Sequence, residues 1–462
     1  MKKENTSLNN NKNNITKDLT KGNILGVLVK FSLPFLLSSF LQTFYGLADL
    51  FITGQFYGSS TISAVSIGSQ LMHMITVIIV GLSMGTTVNI SRGVGLKDNK
   101  KIAENIGNSI TLFTLFSVIL TVILILCADL FLTLLSTPVE AFREAKDYCI
   151  VCFSGIPFIT AYNVLSSIYR GLGDSKSPLL FIFIAGVINI ILDYVFIGVL
   201  HLGSAGAALG TVISQAVSVV IALIILKKRK QDIIIHKKDL KLKKECVISI
   251  LGIGLPVSLQ DGFIQVSFLV ITAIANSRGV VVAASVGIVE KIICFLFLVP
   301  SAMLSSVSAI SAQNAGAGKD KRSFKTLLYA IFITVIFGTL VTIICNAVPS
   351  QILSLFTSEK AVIIMGRGYL CSYVTDCIVA GIHFCCSGFF CAYGKSIYSF
   401  IHNILSILLI RIPGTYIASC LYPDTLVPMG FAAPAGSLFS AVICVFLFFH
   451  LKKKIINKTL VK

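Results

Sequence analysis

Apolar runs of about twenty residues recur along the whole chain, and a bilayer core accepts such segments as helices whose backbone groups bond internally. They fall at roughly 24–51, 60–90, 103–128, 148–169, 178–200, 204–226, 247–275, 280–310, 324–348, 362–391, 396–420 and 428–450. The pattern predicts an all-α polytopic membrane protein with about 12 transmembrane helices. Composition agrees, because 55% hydrophobic and 13% charged residues over 462 positions do not describe soluble domains. The polar, Asn- and Lys-rich start, residues 1–22, reads as a cytoplasmic tail rather than a cleaved signal peptide.

A net charge of +18 in a soluble protein would point to nucleic acid. Here about 31 of the 38 Lys and Arg fall on alternate inter-helix segments, all on one side of the membrane, which the positive-inside rule makes cytoplasmic. Asp129, Glu140, Glu144, Asp147, Glu359 and Asp424 occupy the other side. The charge is therefore a topology signal: both termini are expected inside, and no nucleic-acid partner is expected. The thirteen cysteines lie mostly within apolar segments and read as small hydrophobes, with no metal site.

The basic stretch 227–245 divides the chain into 23–226 and 246–451, with a second cytoplasmic tail at 452–462. The two parts echo each other at an offset of about 220 residues, as an internal duplication would. Leu33-Pro34 matches Leu255-Pro256, Ile90-Ser91 matches Ile310-Ser311, and Lys97-Asp98 matches Lys319-Asp320. Six helices per copy is an even number, so the two lobes are expected to share one orientation about an axis along the membrane normal. A cleft between them is the architecture expected of a secondary transporter.

The membrane must also hold some charges. Asn189 and Asp193 sit one turn apart on one face of the run 178–200, and an ionised aspartate near the bilayer centre costs roughly 2.5–3.5 kcal/mol. On helix 1, Gln42, Tyr45 and Asp49 make a polar stripe that reads as a substrate-cavity surface, together with Asp193. The repeat places Ile271 and Ile407 opposite Asp49 and Asp193, so the acids belong to the N-terminal lobe alone. Low dielectric penalises an ionised carboxyl group and a second acid nearby adds to the penalty, so the pair suits a proton; with Asn and Thr oxygens it also suits Na+. Glu290, Lys291, Asp376 and Arg411 are further charges in the C-terminal lobe, Asp376 and Arg411 being candidates to pair. Asp261 reads as interfacial, and His383 and His402 as polar packing. Pro34 is a candidate hinge in helix 1, repeated at Pro256.

YRGLGDSKSP at Tyr169–Pro178, NIILDYVF at Asn189–Phe196, LADLFITGQF at Leu47–Phe56 and GSAGAALGT at Gly203–Thr211 together resemble the multidrug and toxic compound extrusion (MATE) family. The resemblance covers essentially the whole chain and leans toward the DinF-like or MepA-like branch, since Asp261 and Asp376 do not match the acids of the NorM-like branch. It implies two six-helix lobes forming a V-shaped central cleft, and a plasma-membrane protein, bacterial and active as a monomer, that exports small lipophilic, often cationic drugs by antiport with H+ or Na+. It also implies that Asp49, Asp193, Asn189, Thr211 and Asn163 carry the coupling ion, with no cofactor. The alternative is a lipid-linked precursor flippase of the same superfamily, which needs cationic residues for a pyrophosphate. An enzyme is not expected: the spans carry no HExxH, GxGD or Ser-His arrangement, and no Walker A stretch is present.

Overall fold

The computed structural model describes residues 16–228 and 233–460. The N-terminal tail as far as residue 15, positions 229–232 of the basic linker, and the last two residues lie outside the described residues. The described chain is helical, with no strand.

Ten helices are single spans: α1 (Ile24–Phe56), α2 (Ser59–Leu96), α3 (Asn99–Leu126), α5 (Lys176–Val199), α6 (Gly203–Lys228), α7 (Lys244–Asn276), α8 (Val280–Gly316), α9 (Asp320–Ala347), α11 (Ser396–Leu421) and α12 (Val427–Leu460). Two further spans are bent pairs: α4, formed by Val139–Ser154 and Ile156–Gly171 at 49°, and α10, formed by Lys360–Tyr373 and Asp376–Ala392 at 43°. The count is thus 12 with each bent pair as one span. In α4 the break falls at Gly155, with Pro157 behind it lacking the N–H that would continue the ladder. In α10 no proline is needed, because the Thr375 hydroxyl donates to the Ser372 carbonyl at 2.6 Å and draws it from the helix ladder.

The duplication is visible in these irregularities. Each copy bends its fourth span, and each opens into a π-helical stretch within its fifth, at the end of the span in Tyr194–Val199 and midway along it in Ile407–Arg411. The turns that precede those spans carry Gly173 and Gly394 at φ +89° and +67°, where a side chain would be strained.

Contacts divide the described chain into two units. The first takes the residues up to Leu19 and Leu33–Gly254; the second takes Thr20–Ser32 and Leu255–Lys462. The change of unit along α1 and α7 thus falls one residue before Pro34 and Pro256. α1 runs unbroken through Pro34, whose carbonyl accepts from the Ser38 hydroxyl at 2.8 Å.

Within the first unit the usual polarity is inverted, as a lipid solvent requires. Leu115, Val118, Ile119, Val122 and Ile123 of α3 are exposed, while Ser83, Thr86, Thr87, Asn89 and Ser91 of α2 are buried. The buried hydroxyls bond across helices: Ser83 to Ser167 at 2.8 Å, Thr86 to Ser109 at 2.9 Å, and Ser91 to the Gly171 carbonyl at 3.0 Å. The start of α7 lies so close to α2 that a Cβ on Gly85 would stand 2.1 Å from the Ile250 carbonyl oxygen. The segment after α6 is also built into this unit: a short 3-10 turn, Lys237–Leu240, lies on α3.

In the second unit α10 is central, with Tyr369, Tyr373, Phe389 and Phe390 fully buried. His402 is buried and bonds Ser387 at 2.9 Å and Ser440 at 2.6 Å, the packing role expected of it. His383 stacks edge-on 5.7 Å from it.

Candidate functional site

The polar stripe of α1 is matched, turn for turn, by one on α6. Thr211 and Gln215 are four residues apart, as are Asp49 and Tyr45, and the two rows meet. The Thr211 hydroxyl donates to Asp49 Oδ2 at 3.2 Å, and Gln215 Nε2 donates to the Tyr45 hydroxyl at 3.4 Å. Gln42 is within hydrogen-bond reach of Tyr45, so all three stripe residues belong to one network. The Thr53 hydroxyl ties down the Asp49 carbonyl at 2.7 Å, one turn further on.

α5 brings the second half of the site. Asn189 and Asp193 are fully buried, and Asn189 Nδ2 donates to Asp193 Oδ1 at 3.5 Å. Asp49, 3% exposed, lies within hydrogen-bond reach of both Asp193 and Asn189. The close approach is made by the absence of a side chain at Gly210 on α6, where a Cβ would stand 2.3 Å from Asp193 Oδ1. The helix changes to π geometry immediately after Asp193, a distortion that recurs at functional positions.

Two carboxyl groups this close cannot both be ionised without something positive between them. Asp49 Oδ1, Asp193 Oδ2 and Asn189 Oδ1 are buried and have no donor among the described residues. Three buried acceptor oxygens of this kind can be satisfied by a proton or by a hard cation, which takes oxygen ligands.

The predicted residues divide accordingly. Asp49, Asn189, Asp193 and Thr211 come together, with Gln42 and Tyr45 next to them. Asn163 is buried, but its amide donates to the Ile159 carbonyl of its own helix at 2.8 Å rather than to either acid. Gln215 and Gly210 belong to the site and were not singled out for it; the signal for Gln215 was its spacing of four from Thr211.

The second unit holds its own charge cluster. Arg411 Nη2 donates to the Tyr373 hydroxyl at 2.6 Å, and its guanidinium lies 4.6 Å from the centre of the Phe268 ring. The Thr272 hydroxyl donates to Glu290 Oε2 at 3.2 Å. Asp376 is within reach of Ser437 and makes no salt bridge with Arg411 among the described residues, so the expected pair is not a direct contact. Lys291 is exposed while its neighbour Glu290 is turned inward.

The family model MatE matches residues 34–195 and, a second time, residues 256–417. The chain belongs to the MatE family. It is a multi-pass membrane transporter of that family, not an enzyme, and the double match is the internal duplication itself. Among curated relatives of this MATE protein, the probable multidrug resistance protein YpnP of Bacillus subtilis is 29% identical over 402 residues, covering 87% of this chain and 90% of its own. The multidrug export protein MepA of Staphylococcus haemolyticus is 27% identical over 81% of this chain and 83% of its own. The probable multidrug resistance protein NorM of Thermotoga maritima is 25% identical over 73% of each. The longer MepA match agrees with the MepA-like leaning of the sequence motifs. Of solved structures, an outward-facing MATE transporter of the MOP superfamily superposes with a TM-score of 0.88 at 23% identity, covering 95% of this chain and 98% of its own. A MOP superfamily transporter from Pyrococcus furiosus gives 0.89 at 23% identity over the same shares. These likenesses establish the fold.

Proposed function

We propose that this MATE transporter exports lipophilic, often cationic compounds across the plasma membrane in exchange for protons, with Asp49 and Asp193 as the proton-carrying pair. The observation that supports it is the approach of these two buried carboxyl groups, each with an oxygen that lacks a donor. The pair takes a proton from the outer side, is exposed to the inner side, and gives the proton up there. Inward flow is worth roughly 2.3 kcal/mol per charge for each 100 mV of membrane potential, and this drives export. A cationic substrate is attracted to the same carboxylates, so substrate and proton compete for them and exchange follows. Asn189 and Thr211 hold the acids in place through the cycle. The names of the relatives YpnP and MepA support the multidrug part of this reading. The lysine distribution supports a cytoplasmic position for both termini, and a single chain is the proposed functional unit.

The experiment is uptake of a fluorescent lipophilic cation into inside-out proteoliposomes, with H+ and Na+ gradients imposed separately. Uptake is expected with the proton gradient alone, falling at least tenfold in Asp193→Asn together with its pH dependence. Uptake driven by sodium alone would turn the same oxygens into ligands of a metal ion.

A further inference from the structure

The segment between the two copies is too polar and too basic to expect structure of it, yet its described residues 236–243 lie against α3. The absence of a side chain at Gly107 lets the backbone in: a Cβ there would stand 2.3 Å from the Asp239 carbonyl oxygen. Asn108 then bonds the turn twice, its Nδ2 donating to that carbonyl at 3.2 Å and its Oδ1 accepting from the Lys243 amide at 2.6 Å. The Thr111 hydroxyl donates to the Leu240 carbonyl at 2.7 Å, and Lys243 pairs with Glu104 at 2.7 Å. The Asp239 carboxylate is itself buried and accepts from the His236 amide at 2.9 Å.

The surface fixed in this way has a marked chemistry. Lys237, Lys238, Lys241 and Lys244 are exposed, and so are Lys97, Lys100 and Lys101 at the near end of α3. None of these seven makes an ion pair among the described residues. Of the nearby acids, Glu104 is paired, Asp239 is buried, and Asp98 caps α3 by accepting from the Lys101 amide at 3.0 Å; Glu245 faces outward with no ion pair among the described residues. Among the lysines stand exposed apolar side chains: Leu240, Leu242, Ile248 and Leu96. The turn lies beside residues 104–111 of α3, near the end of that span that carries Lys100 and Lys101.

We propose that this docked segment, residues 236–248, together with the lysines at the start of α3, is a binding surface for anionic phospholipid of the adjoining leaflet. Lysine ammoniums meet the phosphates, and the leucines and Ile248 enter the first part of the acyl layer. The apolar side chains select a lipid over a soluble polyanion, which would leave them in water. The docking supplies the preorganisation, since the lysines are carried on a backbone already fixed by Asn108 and Thr111.

The test is native mass spectrometry of the full-length protein released from mixed micelles containing phosphatidylglycerol and phosphatidylcholine. The wild type is expected to retain phosphatidylglycerol preferentially. The variant Lys237→Gln/Lys238→Gln/Lys241→Gln/Lys244→Gln is expected to lose that preference at least tenfold while eluting as the same monodisperse species. The tail variant Lys452→Gln/Lys453→Gln/Lys454→Gln is expected to keep it. Undiminished retention in the four-lysine variant would overturn the proposal. So would undiminished retention in Leu240→Gln/Leu242→Gln, because a ligand indifferent to the leucines is not a lipid seated on this segment.

Discussion

At the scale of residues, the chemistry of the site rests on one missing methyl group as much as on the two acids. Gly210→Ala would put a carbon 2.3 Å from Asp193 Oδ1, so the Asp193 carboxyl group or α6 must shift and the arrangement of the pair is disturbed. Proton-driven uptake is expected to fall at least tenfold in this variant, although no ionisable group has changed. The stability read from thermal unfolding should fall by no more than an overpacked core site usually costs, about 1–3 kcal/mol. Normal uptake in Gly210→Ala would mean that the close approach is not needed for coupling. The acids were legible in the sequence, because a charge inside an apolar run has few innocent explanations. Gly210 was not, since a glycine in GSAGAALGT looks the same whether it admits a neighbouring helix or a carboxylate. Asn163 was less legible: its amide donates to the Ile159 carbonyl of its own helix, a local bond that a polar residue in a span can make whatever else it does.

At the scale of elements, the breaks in the helices carry information that apolar periodicity hides. A hydropathy pattern reads α4 as one segment at 148–169, whereas the structure starts it at Val139 and bends it by 49° around Gly155. That bend brings Gly155 against α6, where a Cβ would stand 2.3 Å from Val212 Cγ2, one residue beyond Thr211. Gly155→Ala is therefore expected to destabilise the first unit by about 1–3 kcal/mol, read as a lowered unfolding midpoint, and to weaken coupling through displaced Thr211. An unchanged midpoint would show that α6 adjusts freely there. The π-helical stretches were likewise beyond sequence reasoning, because they differ from an α-helix by one residue in the register of the backbone bonds and leave no mark on composition.

At the scale of the whole molecule, the span count and the duplication were both plain in the sequence: twenty-residue apolar runs admit few readings, and paired Leu-Pro, Ile-Ser and Lys-Asp motifs fix the offset. The orientation is a matter for measurement. Cys420 is exposed and lies at the end of α11 that the lysine pattern places outside. A membrane-impermeant thiol reagent applied to intact cells is expected to label the protein, and to lose most of that label in Cys420→Ser; labelling confined to inverted vesicles would reverse the assigned sides. The turn seated on Gly107 bears on how the chain can be divided. Two-fragment complementation of a duplicated protein would naturally break it in the loop between the copies. A first fragment ending before His236 leaves the partners of Asn108 and Thr111 on the second fragment, so these hydrogen bonds, each worth about 0.5–1.5 kcal/mol, must be remade between two chains. A first fragment carried through Lys243 keeps them. In genetic terms the seam between the two halves therefore lies after the turn, and a split reporter or an inserted domain should be placed with that in mind.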